Sequence, residues 1–409
     1  MLVLKSLRLG ALGVLAAVTA LGVPMAASAH GSLTFEKPKP DIAATPPMGW
    51  NSWNHFGCNI DEAKVRGAAD AMVSSGMKDA GYRYVVIDDC WQTGRDDTGN
   101  IIADAVKFPS GIKAMADYIH AKGLKFGIYS DAGEKTCGGR PGSMGHEFQD
   151  AKQYAAWGVD YLKYDWCNTG PANAEASYAV MARALRDSGR DILFSMCEWG
   201  TAKPWLWADD TGHMWRTTGD ISDAWIKNEK SKAWENGMLD ILDMQAGLDS
   251  FAGPNHWNDP DMLEVGNGGM TNSEYQAHFS LWAMLAAPLI SGNDLSAMSK
   301  DTLAILTNKD VIAVDQDALG IEGRKIADDG DFEVWARPLK GGDQAVILLN
   351  RSAASHTMSV NWEALHLPAA MKADVLDLWS KQVSQDVTGA FSADVPSHAV
   401  VMVRVTAKV

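Results

Sequence analysis

Acidic residues recur through the first two thirds of the chain, each just after or at the end of a short apolar run: Asp88-Asp89, Asp131, Asp165, Glu198, Asp220, and Asp259 with Asp261. Any one of them could cap a helix or open a turn. At equivalent places stand Trp53, Tyr129, Lys163, Cys197, Trp199 and Arg216. If the runs are neighbouring strands, all these side chains converge on one mouth. Two carboxylates flanking a bond that breaks through an oxocarbenium-like transition state are what glycoside hydrolysis requires. Lys163 and Asp165 are two apart in one run and project to the same side. The ammonium is therefore expected to lower the carboxyl pKa and keep Asp165 ionised as a nucleophile at mildly acidic pH. Arg216 and Asp220 lie two runs further on, at the opposite edge of a sugar-sized site. Spacing leaves Asp89, Asp131 and Asp261 open as alternatives to either acid.

The elements that would hold these residues follow from the alternation of short apolar runs with amphipathic stretches. Eight strands are predicted, at Met48–Trp53, Arg83–Asp88, Lys125–Tyr129, Asp160–Tyr164, Ile192–Cys197, Met214–Gly219, Trp257–Asp261 and Leu289–Gly292. Between them, segments such as Gly111–Ala121 place Ile112, Met115, Ala116 and Ile119 on one helical face. Eight β/α units in this span predict an α/β fold, a (β/α)8 TIM barrel, whose sites lie at the C-terminal strand ends. A doubly wound sheet would need a glycine-rich phosphate loop after its first strand, and none is present. After Gly320 the pattern changes to alternating strands at Phe332–Arg337, Ala345–Asn350, Val375–Trp379 and His398–Val405, which predicts an antiparallel β-sandwich. The expected organisation is an extended leader over residues 30–44, a barrel over 45–319 and a sandwich over 320–409. Trp335, Trp362 and Trp379 lie on strands that bury them, so the sandwich is expected to be structural.

With 51 acidic against 36 basic residues and a formal charge of -15, the chain repels phosphate backbones and anionic lipid, so nucleic acid and membrane surfaces are not expected partners. Its sixteen Trp offer flat platforms for sugar rings, although most indoles fill cores. Residues 1–29 read as a signal peptide: Lys5 and Arg8, the apolar run Leu9–Val23, and the small-residue site Ala27-Ser28-Ala29. Cleavage after Ala29 predicts a secreted protein, and no other stretch approaches the roughly 20 apolar residues of a membrane span. The ten His include no ligand-spaced pair, so neither a catalytic metal nor another cofactor is expected. Asn350-Arg351-Ser352 matches a glycosylation acceptor, a pattern short enough to occur by chance. Five cysteines, Cys58, Cys90, Cys137, Cys167 and Cys197, are too widely spaced for zinc knuckles, and export permits disulfides between them.

Seven segments in order resemble the α-galactosidases of glycoside hydrolase family 27. They are Met48–Asn54, Ile87–Trp91, Gly127–Gly133, Tyr161–Asp165, Cys197–Trp199, Trp215-Arg216 through Asp220, and Trp257–Met262. The resemblance implies a retaining exo-α-galactosidase with Asp165 as nucleophile and Asp220 as general acid/base. It implies that Asp88 and Asp89 hold the 4- and 6-hydroxyls, and that Trp53 packs on the sugar. Lys163 and Arg216 would hold further hydroxyls, Asp261 and Met262 would line the pocket, and Glu198 would fill the space an N-acetylgalactosaminidase leaves for the 2-acetamido group. Arabinopyranosidases of the family depart at the first acid of the Asp88-Asp89 pair, which this chain retains. An α-glucan hydrolase and a silent sugar-binding barrel are the competing classes; the latter would need neither Asp165 nor Asp220. On the barrel frame Cys58 and Cys90 follow neighbouring strands, as do Cys137 and Cys167, so those two bridges are expected. Gly212 stands where animal members carry a further cysteine, which implies that Cys197 is a free thiol.

Overall fold

The computed structural model describes residues 39–408, and the expected signal peptide and its cleavage site lie outside the described residues. Eight parallel strands form one sheet in chain order: β1 (Met48–Asn51), β2 (Tyr84–Val86), β3 (Lys125–Asp131), β4 (Tyr161–Asp165), β5 (Leu193–Cys197), β6 (Met214–Arg216), β7 (Trp257–Asp259) and β8 (Leu289–Ser291). β8 pairs with β1, and just past β7 Leu263 bridges to Ser291 of β8, its N–H donating to the Ile290 carbonyl at 2.8 Å. The sheet is thereby closed into a TIM barrel.

The strands are short and apolar on both faces because helices cover the outside and side chains fill the inside. Helix Ile112–Ala121 buries Ile112, Met115, Ala116 and Ile119, and helix Ala174–Asp187 buries Tyr178, Met181, Ala182 and Leu185. At Gly49 a β-carbon would stand 2.5 Å from the Tyr84 carbonyl oxygen, so only glycine lets β1 approach β2. A two-stranded hairpin, Gln92–Arg95 with Ile101–Ala103, extends the loop after β2 and has too few apolar residues to announce itself in the sequence.

The C-terminal part is an antiparallel sandwich. β9 (Arg324–Asp329), β10 (Phe332–Pro338), β11 (Gln344–Asn350), β13 (Lys372–Asp377), β14 (Val383–Thr388) and β16 (Ala399–Ala407) form a sheet of order β9-β10-β11-β16-β13-β14. β12 (His356–Asn361) and β15 (Ala390–Val395) pair separately. Alternation along β10 and β11 divides their side chains between two cores. Val334, Ala336, Val346 and Leu348 face the sandwich interior, whereas Trp335, Ile347 and Leu349 join the core of the barrel. Buried Arg337 reinforces this contact by donating to the Ala283 carbonyl at 2.9 Å, and Trp379 Nε1 donates to Ser280 Oγ at 2.9 Å. Asn350 is fully buried, and its amide nitrogen donates to the carbonyls of Ala354, Val395 and Pro396. It is therefore closed to glycosylation in the folded protein.

Because one face of the sandwich completes the core of the barrel, the two parts are expected to unfold together. Leu349→Ala should cost about 2–5 kcal/mol and lower a single shared calorimetric transition. Two separable transitions, with only the second one shifted, would show instead that the parts are independent.

Candidate active site

The acids gather at the C-terminal end of the barrel because strand parity and parallel register put them there. Tyr129 pairs with Lys163 and Asp131 with Asp165 across β3 and β4, so all four project on one side at successive levels. β2 stops at Val86, which frees Asp88 and Asp89 from the rule that neighbours face opposite ways. Both line the same cavity of about 1110 Å³, together with Trp53, Tyr129, Lys163, Asp165, Trp199, Arg216, Asp220, Asp261 and Met262.

The loop that carries Asp88 and Asp89 is held by its own hydrogen bonds. The Asp88 N–H donates to Ser52 Oγ at 3.0 Å, the Asp89 N–H to Asp88 Oδ1 at 2.9 Å and the Cys90 N–H to Asp89 Oδ1 at 2.6 Å. Asp88 Oδ2 accepts from Asn51 Nδ2 at 2.7 Å and from Lys163 Nζ at 2.9 Å. Asp89 Oδ2 accepts from the Gly138 N–H at 2.6 Å; burial nevertheless holds its carboxyl above the usual range. Disulfides join Cys58 to Cys90 and Cys137 to Cys167 beside these loops, with Cα separations of 5.2 and 5.1 Å, and Cys197 is a buried thiol.

Asp165 is buried; Tyr129 Oη donates to its Oδ2 at 2.9 Å and the Trp166 N–H to its Oδ1 at 3.0 Å. The expectation that Lys163 would lower its pKa is reversed. Burial pushes the Asp165 carboxyl up to about 6 against the pull of Lys163, and the charge of Asp220 adds to the rise. Lys163 spends its closest contact on Asp88, so desolvation of Asp165 wins. Asp131 accepts the Gly133 and Cys167 N–H groups at 2.7 and 2.9 Å, yet burial and then the charge of Asp165 push it up to about 8.

At the end of β6, Arg216 is buried with its Nη2 3.0 Å from Asp261 Oδ2 and 3.1 Å from Asp220 Oδ1. Burial works against its charge, but these carboxylates hold its pKa well above the ordinary value. Asp261 Oδ2 also accepts the Ile221 N–H at 2.8 Å, which fixes the backbone just after Asp220. The side chain of Asp220 is 37% exposed, so one acid of the pair is enclosed and the other reaches open water.

Cys197 and Glu198 are not among the residues lining the cavity. Cys197 Sγ lies behind Arg216, 3.5 Å from Nη1. Glu198 is fully buried and folds into its own turn, where its Oε2 accepts from Thr201 Oγ1 at 2.7 Å and from the Ala202 N–H at 2.5 Å. The turn thus holds one oxygen of the carboxylate, while Oε1 has no hydrogen-bond partner among the described residues. Sequence reasoning also missed Asn51, Gly138 and the loop from Ile221 to Glu235, much of which lines the cavity. Asn51 sat within a quoted motif, but the loop carried no spacing signal. Asp131, Cys137, Asp165 and Cys167 bring ligand atoms within 4.8 Å of one another, but both sulfurs are in a disulfide and have no thiolate to give a metal.

A closed barrel whose polar cavity is lined by several carboxylates, Asp165 and Asp220 among them, fits a glycoside hydrolase class of site. Residues 45–317 match the family model described as alpha galactosidase A, and residues 329–405 match the alpha galactosidase C-terminal beta sandwich domain. The chain is 51% identical to alpha-galactosidase A of Cellvibrio japonicus over 98% of this chain and 99% of that protein. It superposes on alpha-galactosidase I of Mortierella vinacea with a TM-score of 0.86 and 40% identity, covering 89% of this chain and 97% of that one. It also superposes on the alpha-galactosidase of Saccharomyces cerevisiae solved with raffinose, with a TM-score of 0.84 and 30% identity over 91% and 100% of the two chains. The chain belongs to glycoside hydrolase family 27, the α-galactosidase family.

The raised carboxyls tie stability to pH. A carboxyl whose folded pKa exceeds its unfolded value stabilises fully below the unfolded value, roughly 4, and the contribution is lost as pH rises through the folded one. For Asp131 that window extends to about 8. The ligand-free protein should therefore melt at a lower temperature at pH 8 than at pH 5, and Asp131→Asn should reduce the difference. Scanning calorimetry at the two pH values measures it; an equal or larger fall in the variant would contradict the assignment.

Proposed function

We propose that the protein is a secreted, exo-acting, retaining α-galactosidase that removes terminal α-linked galactose through a covalent glycosyl-enzyme. Its mature chain would begin near His30. Asp165 is the nucleophile and Asp220 the general acid and then base. The observation that carries this reading is the contrast between the two acids. Asp165 is enclosed and oriented by Tyr129 Oη and the Trp166 N–H, with no cation clamped to it, so one carboxylate lobe can reach an anomeric carbon. Asp220 stands at the open side, where a leaving oxygen must exit and a water must enter.

In the first step Asp165 Oδ attacks the anomeric carbon as the glycosidic C–O bond breaks, and Asp220 gives its proton to the departing oxygen. In the second, Asp220 as carboxylate takes a proton from water, which attacks the same carbon and releases Asp165. Asp88 and Asp89, at the closed end with Lys163, suit the 4- and 6-hydroxyls of galactose, and Trp53 and Met262 suit its apolar edges. A site that hydrogen-bonds an axial 4-hydroxyl leaves carboxylate oxygens unpaired when glucose binds, a penalty of about 10⁴ or more. Melibiose and raffinose should be cleaved and maltose ignored.

Proton NMR of the first-formed sugar should show α-galactose. Asp165→Ala should abolish turnover, and azide should restore it with formation of the β-galactosyl azide. Inverted product from the unaltered enzyme would contradict the scheme. The nucleophile must be ionised, so kcat/KM should fall on the acid side with a midpoint near the value of about 6 held by Asp165. A profile flat down to pH 4 would exclude Asp165 as the group that must lose its proton.

A further inference from the structure

Trp234 is 63% exposed, yet it lines the same cavity as Asp165 and Asp220. Seven of the sixteen indoles are fully buried, Trp50, Trp91, Trp215, Trp257, Trp282, Trp335 and Trp362, and Trp234 is the one exposed indole of the chain. An aromatic ring of this size left open to water at the rim of a polar cavity gives up the burial that would otherwise stabilise it.

The segment that carries it is fastened to the open-side acid. Ile221 and Asn236 form a parallel bridge, the Asn236 N–H donates to the Asp220 carbonyl at 2.8 Å, and the Ser222 N–H donates to the Asn236 carbonyl at 2.8 Å. Ser222 Oγ and Ser231 Oγ lie 2.9 Å apart and cross-link the loop. A β-carbon on Gly219 would stand 2.9 Å from the Trp234 carbonyl oxygen, so the backbone of Trp234 packs directly on the residue before Asp220. Lys232 Nζ lies over the ring, 5.5 Å from its centroid, and pairs with Glu235 at 2.8 Å.

We propose that Trp234 is a stacking platform for the leaving-group sugar, the hexose joined to galactose through the oxygen that Asp220 protonates. The inference rests on the proposed α-galactosidase activity and adds a binding position outside the galactose pocket. The chemistry suits a pyranose with an apolar C–H face, such as the glucose unit of melibiose. Because the platform and Asp220 share one anchored loop, a sugar seated on the indole would also present its bridging oxygen to the acid.

The test compares melibiose with α-galactosyl fluoride, whose leaving group offers no ring to stack and needs little protonation. Trp234→Ala should lower kcat/KM for melibiose relative to that for the fluoride by about tenfold, mainly through a higher KM, and Trp234→Phe should recover most of the loss. An unchanged ratio, or equal losses on both substrates, would overturn the proposal, as would a selective loss on melibiose that lies in kcat with KM unchanged, which would mark Trp234 as a structural support of Asp220. An unaltered enzyme that hydrolyses neither substrate would instead overturn the proposed activity, and the platform with it.

Discussion

Burial of carboxylates dominates the electrostatics of the mouth, and two cations, Lys163 and Arg216, oppose it. An isolated carboxylate taken out of water shifts its pKa rather than stay ionised. Lys163 meets Asp88 at 2.9 Å, while Arg216 spans Asp261 and Asp220 at 3.0 and 3.1 Å. Burial drives Asp165 up to about 6 and Asp131 up to about 8, and it raises Asp261 as well in spite of Arg216. The group proposed as nucleophile has no salt bridge among the described residues and is oriented by hydrogen bonds from Tyr129 Oη and the Trp166 N–H. The hydroxyls of a bound sugar would supply donors that the buried carboxylates otherwise lack.

The fold serves this electrostatic pattern at several scales. Register between β3 and β4 sets Tyr129, Asp131, Lys163 and Asp165 in two levels on one side. The early end of β2 lets consecutive acids face one ligand, and disulfides stand beside the loops on which they are carried. Trp335, Ile347 and Leu349 of the sandwich join the core that also contains Phe279, Leu281 and Trp282 of helix Asn272–Met284. Trp282 of that helix donates from Nε1 to the Asp261 carbonyl at 2.8 Å, which connects this packing to the site.

Much of this was legible in the sequence because buried strands write themselves as apolar runs. All eight barrel strands fall within a residue or two of the predicted segments at their starts. The strands that were missed lack such runs: Val383–Thr388 is exposed at nearly every position, and the hairpin Gln92–Arg95 buries little beyond Gln92. Spacing correctly put Lys163 and Asp165 on one side but could not give the distance from each ammonium to each acid, nor the extent of burial. The sign of the shift at Asp165 was therefore lost. The hydrogen bonds that Glu198 Oε2 accepts from Thr201 and Ala202 are likewise a matter of local geometry that spacing does not give. Trp234 could be counted among the sixteen Trp but not singled out, because exposure at a cavity rim is a tertiary property.

The central claim is that the carboxylate of Asp165 becomes bonded to the sugar. Exposure of the enzyme to a slowly turned-over fluorinated α-galactosyl fluoride, followed by proteolysis and peptide mass spectrometry, tests it directly. The account predicts one fluorogalactosyl group on the peptide spanning Tyr161–Asp165, assigned to Asp165 by fragmentation. A label on Asp131, Asp220 or Asp261, or rapid turnover with inversion and no label, would contradict it.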